Sequence, residues 1–279
     1  MSACFKRQTI AALLATAAAL TAGPLAAAAP AVQLTYSLAQ AGLTVNEPVL
    51  LKVVAENGTA DEVTIDLGTN FYGNFHAKLA RPDGRTEVVP KPHEVVFQLG
   101  IPGKVVLAAH GRVEKTLLLN RWFRFDVAGR YFLDLELSEP PASLAGSAPQ
   151  VASRGEIVID AAVRDPDRLM DICAKLEKDA IAAAPSPPGE LGSDEILAYI
   201  GDPVAVPYLA RLLDEKAWAS PMYAQGLGRI GDGPAVEALI SHLNGISEDR
   251  KPVVRAVLTG VEGRTSDSQI RERIKAALR

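Results

Sequence analysis

The run Ala161–Pro166, which reads Ala-Ala-Val-Arg-Asp-Pro, separates two kinds of sequence. Before it, apolar and polar residues alternate, as they do along Tyr131–Leu137, and this period of two is typical of strands with one buried face. After it, the apolar residues between Leu169 and Leu176 fall on one face of a helix. The closing Asp-Pro pair is a helix start signal, an N-cap followed by proline. The sequence therefore predicts a strand-rich part and a helix-rich part that meet near Val163.

Short β-rich runs separated by turn residues fill the first part. Asn57-Gly58 is typical of a hairpin turn, and the Pro-Asp-Gly of residues 82–84 is typical of a tight reversal. We predict strands at Leu34–Leu38, Val49–Ala55, Val63–Leu67, Phe75–Ala80, Val95–Gln98, Lys104–Ala108, Val113–Leu119, Tyr131–Leu137 and Glu156–Asp160.

A Gly-x-Tyr step leads into the most regular of these strands. The segment Phe125–Leu133, with Gly129 and Tyr131 inside it, resembles the penultimate-strand signature of bacterial immunoglobulin-like sandwiches. Leu133 stands where an antibody domain carries its second cysteine, so the resemblance implies a sandwich without that disulfide. It covers residues 32–162 and implies an immunoglobulin-like β-sandwich there.

The helical part contains an internal repeat. Leu197–Asp202 reads Leu-Ala-Tyr-Ile-Gly-Asp, and Leu227–Asp232 reads Leu-Gly-Arg-Ile-Gly-Asp thirty residues later. We expect the glycine of each copy to end one helix in the left-handed conformation and the aspartate to cap the next helix. A period of this length, built from two helices and a turn, indicates a solenoid unit.

These copies resemble the HEAT-like repeats first described in phycobilisome lyases. The resemblance covers Ser193–Arg279, with a degenerate third unit from Pro252 to Leu278. It implies an all-α solenoid over residues 163–279. The expected fold class is therefore an all-β, immunoglobulin-like sandwich domain followed by an all-α HEAT-like solenoid domain.

The first residues have the order of a secretory signal peptide. Lys6 and Arg7 precede an apolar run, Ile10–Leu20, and small residues follow at Ala26–Ala29. We predict that residues 1–31 are a removed leader, that the mature chain starts between residues 29 and 32, and that the protein is periplasmic or secreted in a bacterium. The apolar run is too short to span a bilayer, which favours a signal peptide over a membrane helix. No membrane anchor is expected in the mature chain, because residues 32–279 contain no other long apolar run.

Composition bounds the function classes. The chain has 279 residues, 48% of them hydrophobic, and 29 basic against 33 acidic side chains, for a net charge of −4. This composition excludes a wholly disordered chain, and it offers no basic excess for a nucleic-acid partner. Removal of the leader takes away one of the 2 cysteines and leaves Cys173 alone. No intrachain disulfide is then expected.

The motifs that could indicate catalysis are incomplete. Gly226–Gly231 matches the dinucleotide-binding string, but a helical stretch precedes it instead of a strand. His93 begins a zinc-protease motif in which Phe97 replaces the second histidine. We therefore predict no catalytic residue, no cofactor and no metal. A convergence of His76, His93 and His110 on a metal is kept as an alternative.

Two sets of side chains could bind a partner. Aromatic residues flank predicted loops, where they would be rigid anchors or would plug the ends of the sandwich. Polar residues lie on the second helix of each repeat, facing a small concave surface. The candidate partner-binding residues are Phe71, Tyr72, Phe75, Trp122, Phe123, Arg211 and His242.

The predicted function is that of an exported, non-catalytic protein-binding or scaffolding protein whose partner is another, unidentified protein. One alternative is a metal-dependent enzyme or metal-binding protein with its site in the β-domain or between the domains. Another is an inhibitor of an exported protease that presents its loops. Fold class alone does not distinguish these functions.

Overall fold

The computed structural model describes residues 31–67, 73–89, 103–137, 151–183, 190–216 and 220–279. Its strands are β1 (Val32–Leu38), β2 (Leu43–Thr44), β3 (Leu50–Asn57), β4 (Val63–Asp66), β5 (Phe75–Ala80), β6 (Thr86–Val89), β7 (Lys104–Leu107), β8 (Arg112–Leu118), β9 (Gly129–Leu137), β10 (Val151–Ala152) and β11 (Gly155–Ala162). Its helices are α1 (Pro166–Ala182), α2 (Ser193–Ala198), α3 (Val206–Glu215), α4 (Ser220–Ile230), α5 (Gly233–Gly245), α6 (Lys251–Arg264) and α7 (Ser268–Leu278).

The described strands form three sheets. One sheet has the order β10-β1-β3-β8, a second has the order β2-β11-β9-β5-β6, and β4 pairs with β7 in the third. Most pairings are antiparallel, but the short strands β10 and β2 lie parallel to β1 and β11 respectively. Because β9 pairs with β5 and with β11, it is the central strand of the largest sheet.

One apolar cluster fills the strand-rich part. Along β9 the alternation predicted from the sequence is present, with Tyr131, Leu133 and Leu135 almost fully buried. Buried residues from both larger sheets and from the β4–β7 pair join the same cluster. This burial is what the period of two requires, since every second side chain of a strand points to the same face.

The turn before β9 explains why the Gly-x-Tyr step is needed. Gly129 has a φ of 133°, which favours glycine, and a Cβ added there would lie 2.8 Å from Cβ of Pro82. The hydroxyl of Tyr131 donates to the carbonyl of Val127 at 2.7 Å and accepts from its N–H at 3.0 Å. These two bonds hold the backbone of the turn at Val127 against the start of β9.

The first helix begins where the sequence predicts. Asp165 is the N-cap of α1, and its side chain accepts a hydrogen bond from the N–H of Arg168 at 3.1 Å. A second apolar cluster, separate from the first, extends from Cys173 to Ile274 and is built from the helices. Helix α4 lies among α2, α3, α5 and α6 within it.

The two copies of the repeat differ in detail. Gly231 ends α4 with a φ of 64°, so the expected left-handed helix end is confirmed there. Gly201 does not have a positive φ, and the chain instead passes through a 3₁₀ turn, Pro203–Ala205, before α3. Asp232 caps α5, as predicted, whereas Asp202 caps the 3₁₀ turn that precedes α3 rather than α3 itself.

The expected fold class is wrong. The described strands form three sheets with two parallel pairings, where an immunoglobulin-like sandwich predicts two antiparallel sheets. The described helices range from 6 to 17 residues and are interrupted by a 3₁₀ turn, where a HEAT-like solenoid predicts uniform pairs. The chain is a mixed α and β structure, with its sheets in the first part and its helices in the second.

Two further predictions concern the boundary between the strand-rich and helix-rich parts and the leader. Strand gives way to helix between Ala162 and Pro166, close to the predicted boundary, whereas the division into two domains stays a prediction. The predicted leader, residues 1–31, lies outside the described residues apart from Ala31. Among the described helices none is long and apolar enough to cross a membrane.

Candidate functional site

The aromatic residues proposed as anchors lie inside the molecule where they are described. Phe75 and Phe123 are each 2% exposed and belong to the core of the strand-rich part. Trp122 is half-buried and packs against both, with ring centroids 6.0 and 6.3 Å apart. These three rings therefore fill the core rather than present themselves to a partner. Phe71 and Tyr72 lie outside the described residues.

Two exposed apolar side chains lie next to each other on the opposite side of β9. Phe132 is 55% exposed and Val158 is 48% exposed, and the two are direct partners in the β9–β11 pairing. Ala80 on β5 is the partner of Phe132 on the other side. Paired residues share a face of a sheet, so these three side chains form one row across three strands. We call this surface of the five-stranded sheet the outer face.

Ion pairs lie on both sides of that row. Arg130 donates from Nε and Nη2 to the two carboxylate oxygens of Asp160, at 2.8 and 3.3 Å. Arg154 makes the same two-pronged contact with Asp134, at 3.3 and 3.1 Å. A bidentate contact fixes both partners, so the outer face consists of an apolar row with an ordered polar rim.

A shallow depression adjoins the same face. It has a volume of about 500 Å³ and opens beside the Arg130–Asp160 pair. Residues from β2, β9 and β11 and the turns before them line it: Gly42, Leu43, Gly129, Arg130, Asp160, Ala161 and Ala162. It is open rather than enclosed, which suits a protruding side chain of a partner better than a buried small ligand.

A polar junction joins the two parts of the chain around Asp202. This carboxylate is fully buried. Arg164 donates to both of its oxygens at 2.7 Å, Asn46 donates at 2.9 Å, and the N–H of Val204 donates at 3.0 Å. Asn46 comes from the strand-rich part and Asp202 from the helices, so these bonds connect the parts.

The charge of Asp202 is retained despite burial. Burial alone would raise the pKa of the carboxyl, but the hydrogen bonds from Arg164, Val204 and Asn46 outweigh it, and the pKa lies below its usual range. A second pair reinforces the junction, because Arg168 of α1 donates to the buried carboxylate of Glu47 at 2.9 Å. These contacts are structural, since each charge already has its partner.

The two polar candidates on the helices are both engaged. Arg211 makes a bidentate contact with Glu177, at 2.7 and 2.8 Å, and its guanidinium lies 5.0 Å from the ring centre of Tyr208. Its own helix and α1 therefore hold it in place. His242 is buried, with Asp214 and Ser220 within hydrogen-bonding distance of its two ring nitrogens.

The motifs considered for metal and cofactor binding have structural surroundings. His76 is exposed on β5, His110 is exposed in a turn, and His93 lies outside the described residues. Among the residues that the structure describes, no three His, Cys, Asp or Glu side chains are placed to hold a metal ion. Burial raises the pKa of the Cys173 thiol to about 12, so the thiol is protonated and unreactive.

The glycine string lies in and just after α4. A Cβ on Gly226 would approach the carbonyl oxygen of Ala198 to 2.9 Å, and one on Gly228 would approach Cγ1 of Val257 to 2.4 Å. The first two glycines therefore allow neighbouring helices to approach closely. Gly231 provides the left-handed helix end.

The outer face was missed by reasoning from the sequence. Along β9 the even positions Asp134 and Glu136 indicate a solvated face, and Phe132 shares that phase. An aromatic residue in the polar phase of a strand was the available signal. The apolar Val158 in the polar phase of β11 was a second one, but only the strand register shows that the two are adjacent.

Comparisons with known proteins define no family for this chain. No protein-family model and no curated protein matches it. Among solved structures, a beta-glucosidase from Listeria innocua in complex with isofagomine is 12% identical, with a TM-score of 0.27 over 47% of this chain and 16% of that chain. The sporulation control protein Spo0M from Bacillus subtilis is 9% identical, with a TM-score of 0.27 over 54% of this chain and 56% of that chain.

A beta-glucuronidase from Bacteroides uniformis overlaps more of the sequence but less closely. It is 12% identical, with a TM-score of 0.22 over 90% of this chain and 34% of that chain. The chain thus spans between 16% and 56% of the lengths of these three proteins. Overlaps with such low TM-scores support no conclusion about fold or activity.

Proposed function

We propose that this chain is an exported protein-binding or scaffolding protein and that it holds its partner, another protein, on the outer face. The observation that carries the proposal is the cross-strand adjacency of Phe132 and Val158, both about half exposed. Single exposed apolar side chains are ordinary on protein surfaces, but a contiguous row is typical of an interaction site.

The charges around the row support a protein partner. Protein interfaces combine an apolar centre with a polar rim, and here the Arg130–Asp160 and Arg154–Asp134 pairs supply that rim. The pairs also restrain two long side chains, those of Arg130 and Arg154, before the partner arrives. Less conformational entropy is then lost on binding.

The energetic expectation centres on Phe132. Full burial of a phenylalanine side chain contributes roughly 1.5–3 kcal/mol, and more than half of this ring is free to be buried. Val158 and Ala80 extend the same apolar row. The row is therefore large enough to contain a binding hot spot.

The test is Phe132→Asp in the full chain. A photoreactive amino acid at position 158 is first used in the bacterial cells that produce the protein to cross-link and identify the partner. The affinity of that purified partner is then measured by calorimetry. We expect Phe132→Asp to weaken binding at least about 30-fold, corresponding to a loss of roughly 2 kcal/mol.

The matched control is Ile181→Asp on α1, because Ile181 is 54% exposed but lies on a helix away from the outer face. It should leave the affinity unchanged, and a cross-linker at position 181 should not capture the same partner. Equal affinity of wild type and Phe132→Asp would overturn the proposed site.

A further inference from the structure

Three polar side chains that are distant in the sequence lie in contact where three helices meet. Asp214 lies near the end of α3, Ser220 is the first residue of α4, and His242 lies on α5. Nδ1 of His242 is 2.7 Å from Oδ1 of Asp214, and Nε2 is 3.3 Å from Oγ of Ser220. The outer face is made of strands, so this cluster is a separate feature.

The Asp214 carboxylate determines which ring nitrogen of a neutral His242 carries the proton. An ionised Asp214 is only an acceptor, so Nδ1 of a neutral His242 carries the proton and donates it. Nε2 is then an acceptor, and the hydroxyl of Ser220 donates to it. Serine to Nε2 and carboxylate to Nδ1 is the order in which a base activates a serine nucleophile in unrelated hydrolase folds.

We propose that Ser220 and His242 are catalytic residues of a hydrolytic site, with Asp214 as the positioning residue, and that the substrate is a small acyl ester. Ser220 is 8% exposed and His242 is 9% exposed. Such restricted access excludes a folded polypeptide, and for this reason the substrate that we propose has a short acyl chain. The contact between Asp214 and Nδ1 of His242, at 2.7 Å, keeps the ring oriented.

The chemistry balances with water as the only co-reactant. Oγ of Ser220 bonds to the acyl carbon while its proton moves to Nε2 of His242. The ester C–O bond then breaks, and the alcohol leaves with the proton from Nε2. A water molecule next attacks the acyl carbon and gives a proton to Nε2. The bond between the acyl carbon and Oγ then breaks, Nε2 returns its proton to Oγ, and the carboxylic acid leaves. Pro221 has no N–H, so the candidate donors to the oxyanion are the N–H groups of Ser220 and Met222, which have no acceptor within the helix.

The test uses the full mature chain with two probes, p-nitrophenyl acetate and a fluorophosphonate. We expect acetate release above the buffer rate and one phosphonate adduct, located by mass spectrometry on Ser220. Ser220→Ala should abolish the adduct, and His242→Gln should lower the rate of acetate release at least about 100-fold.

Asp214 requires a readout that a structural role would not change. Asp214→Asn should lower kcat with little change in KM, and Asp214→Glu should restore part of kcat. The matched control is Ser268→Ala, since Ser268 begins α7 as Ser220 begins α4 but is not among the three clustered side chains. It should react like wild type.

Either of two results overturns the proposal: wild-type protein that takes no fluorophosphonate on Ser220, or acetate release that Ser220→Ala leaves unchanged. The first does not depend on whether any variant folds. Neither result bears on partner binding at the outer face, which is tested with Phe132→Asp.

Discussion

Asp202 shows how one residue can be both buried and charged. Its carboxylate accepts four hydrogen bonds, two of them from Arg164, and it also caps the 3₁₀ turn. A buried carboxylate without such donors would be protonated or would destabilise the fold. Here the donors hold its pKa below the usual range, which links the stability of the fold to pH.

The first prediction is that Asp202→Asn removes an acid-sensitive part of the stability. A group whose pKa is lower in the folded state stabilises the fold above its unfolded pKa, and this contribution is lost as the pH falls through the folded value. We expect Asp202→Asn to cost about 2 kcal/mol at pH 7 and less in acid. Urea unfolding between pH 3 and pH 7 measures the difference.

The control for this variant is Asp232→Asn. Asp232 occupies the same repeat position and caps α5 through the N–H of Ala235 at 2.9 Å. Asparagine is also a good N-cap, so this variant should be nearly neutral. A cost for Asp202→Asn that is the same at pH 3 and pH 7 would contradict the pH linkage.

Single residues were predictable from the sequence where a local rule decides. The caps at Asp165, Asp202 and Asp232 follow from the preference of aspartate for helix starts. The burial of Phe75 and Phe123 did not follow, because an aromatic residue next to a turn can point inward or outward. Only the packing of the whole core decides between these directions.

At the scale of elements, the packing of α4 depends on two glycines that let the neighbouring helices approach it closely. Its residues Gly226 and Gly228 face α2 and α6, where any side chain would collide with a neighbour. Two glycines of the motif that matched the dinucleotide-binding string are therefore helix contacts. The hydrophobic period predicts such a helix, but not which neighbour each glycine meets.

The second prediction is that Gly228→Ala destabilises the protein even though alanine favours helix. The added Cβ would lie 2.4 Å from Cγ1 of Val257, and overpacking of this kind costs roughly 1–3 kcal/mol, against about 1 kcal/mol gained in helix propensity. The midpoint of urea unfolding should fall. Val257→Ala in the same chain should restore it by removing the colliding methyl group.

Gly263→Ala is the contrasting variant, because a Cβ at Gly263 in α6 would meet nothing within 4 Å. It should stabilise the protein by up to about 1 kcal/mol. If Gly228→Ala behaved in the same way, the close contact between α4 and α6 would not be real.

Strands show the same limit of local rules. The predicted strand Phe75–Ala80 is confirmed at both ends, and most of the others differ by one or two residues. The two-residue strands β2 and β10 were missed, since they are too short to show a period. The four-residue strand β6 was missed as well, although β4 and β7 have the same length and were predicted. The predicted strand Val95–Gln98 lies outside the described residues.

At the scale of the whole molecule, the change from strand to helix was predictable but the fold class was not. The alternation of apolar and polar residues indicates that a strand has one buried face, but it does not indicate which strand pairs with it. The β4–β7 pair and the parallel strands β2 and β10 are therefore visible only in the structure. The proposal of export, by contrast, rests on the sequence alone, because residues 1–30 are not described by the structure.

The third prediction concerns that export. If residues 1–31 are a leader, the chain isolated from the bacterial periplasm or culture medium should begin between Ala29 and Val32. Intact-mass measurement would show a loss of about 30 residues, and substitution of Lys6 and Arg7 by glutamate should reduce the exported fraction. An unprocessed chain found in the cytosol would contradict the proposal.

The polar junction has a consequence for how the sequence can change over generations. The two apolar clusters share no residue. The parts are joined through charge and hydrogen-bond geometry by Asn46, Glu47, Arg164, Arg168 and Asp202, and by the ion pair between Arg121 and Glu195. Substitutions inside one core consequently demand no compensating change in the other. The two halves are free to diverge at different rates, provided that these few polar positions change together.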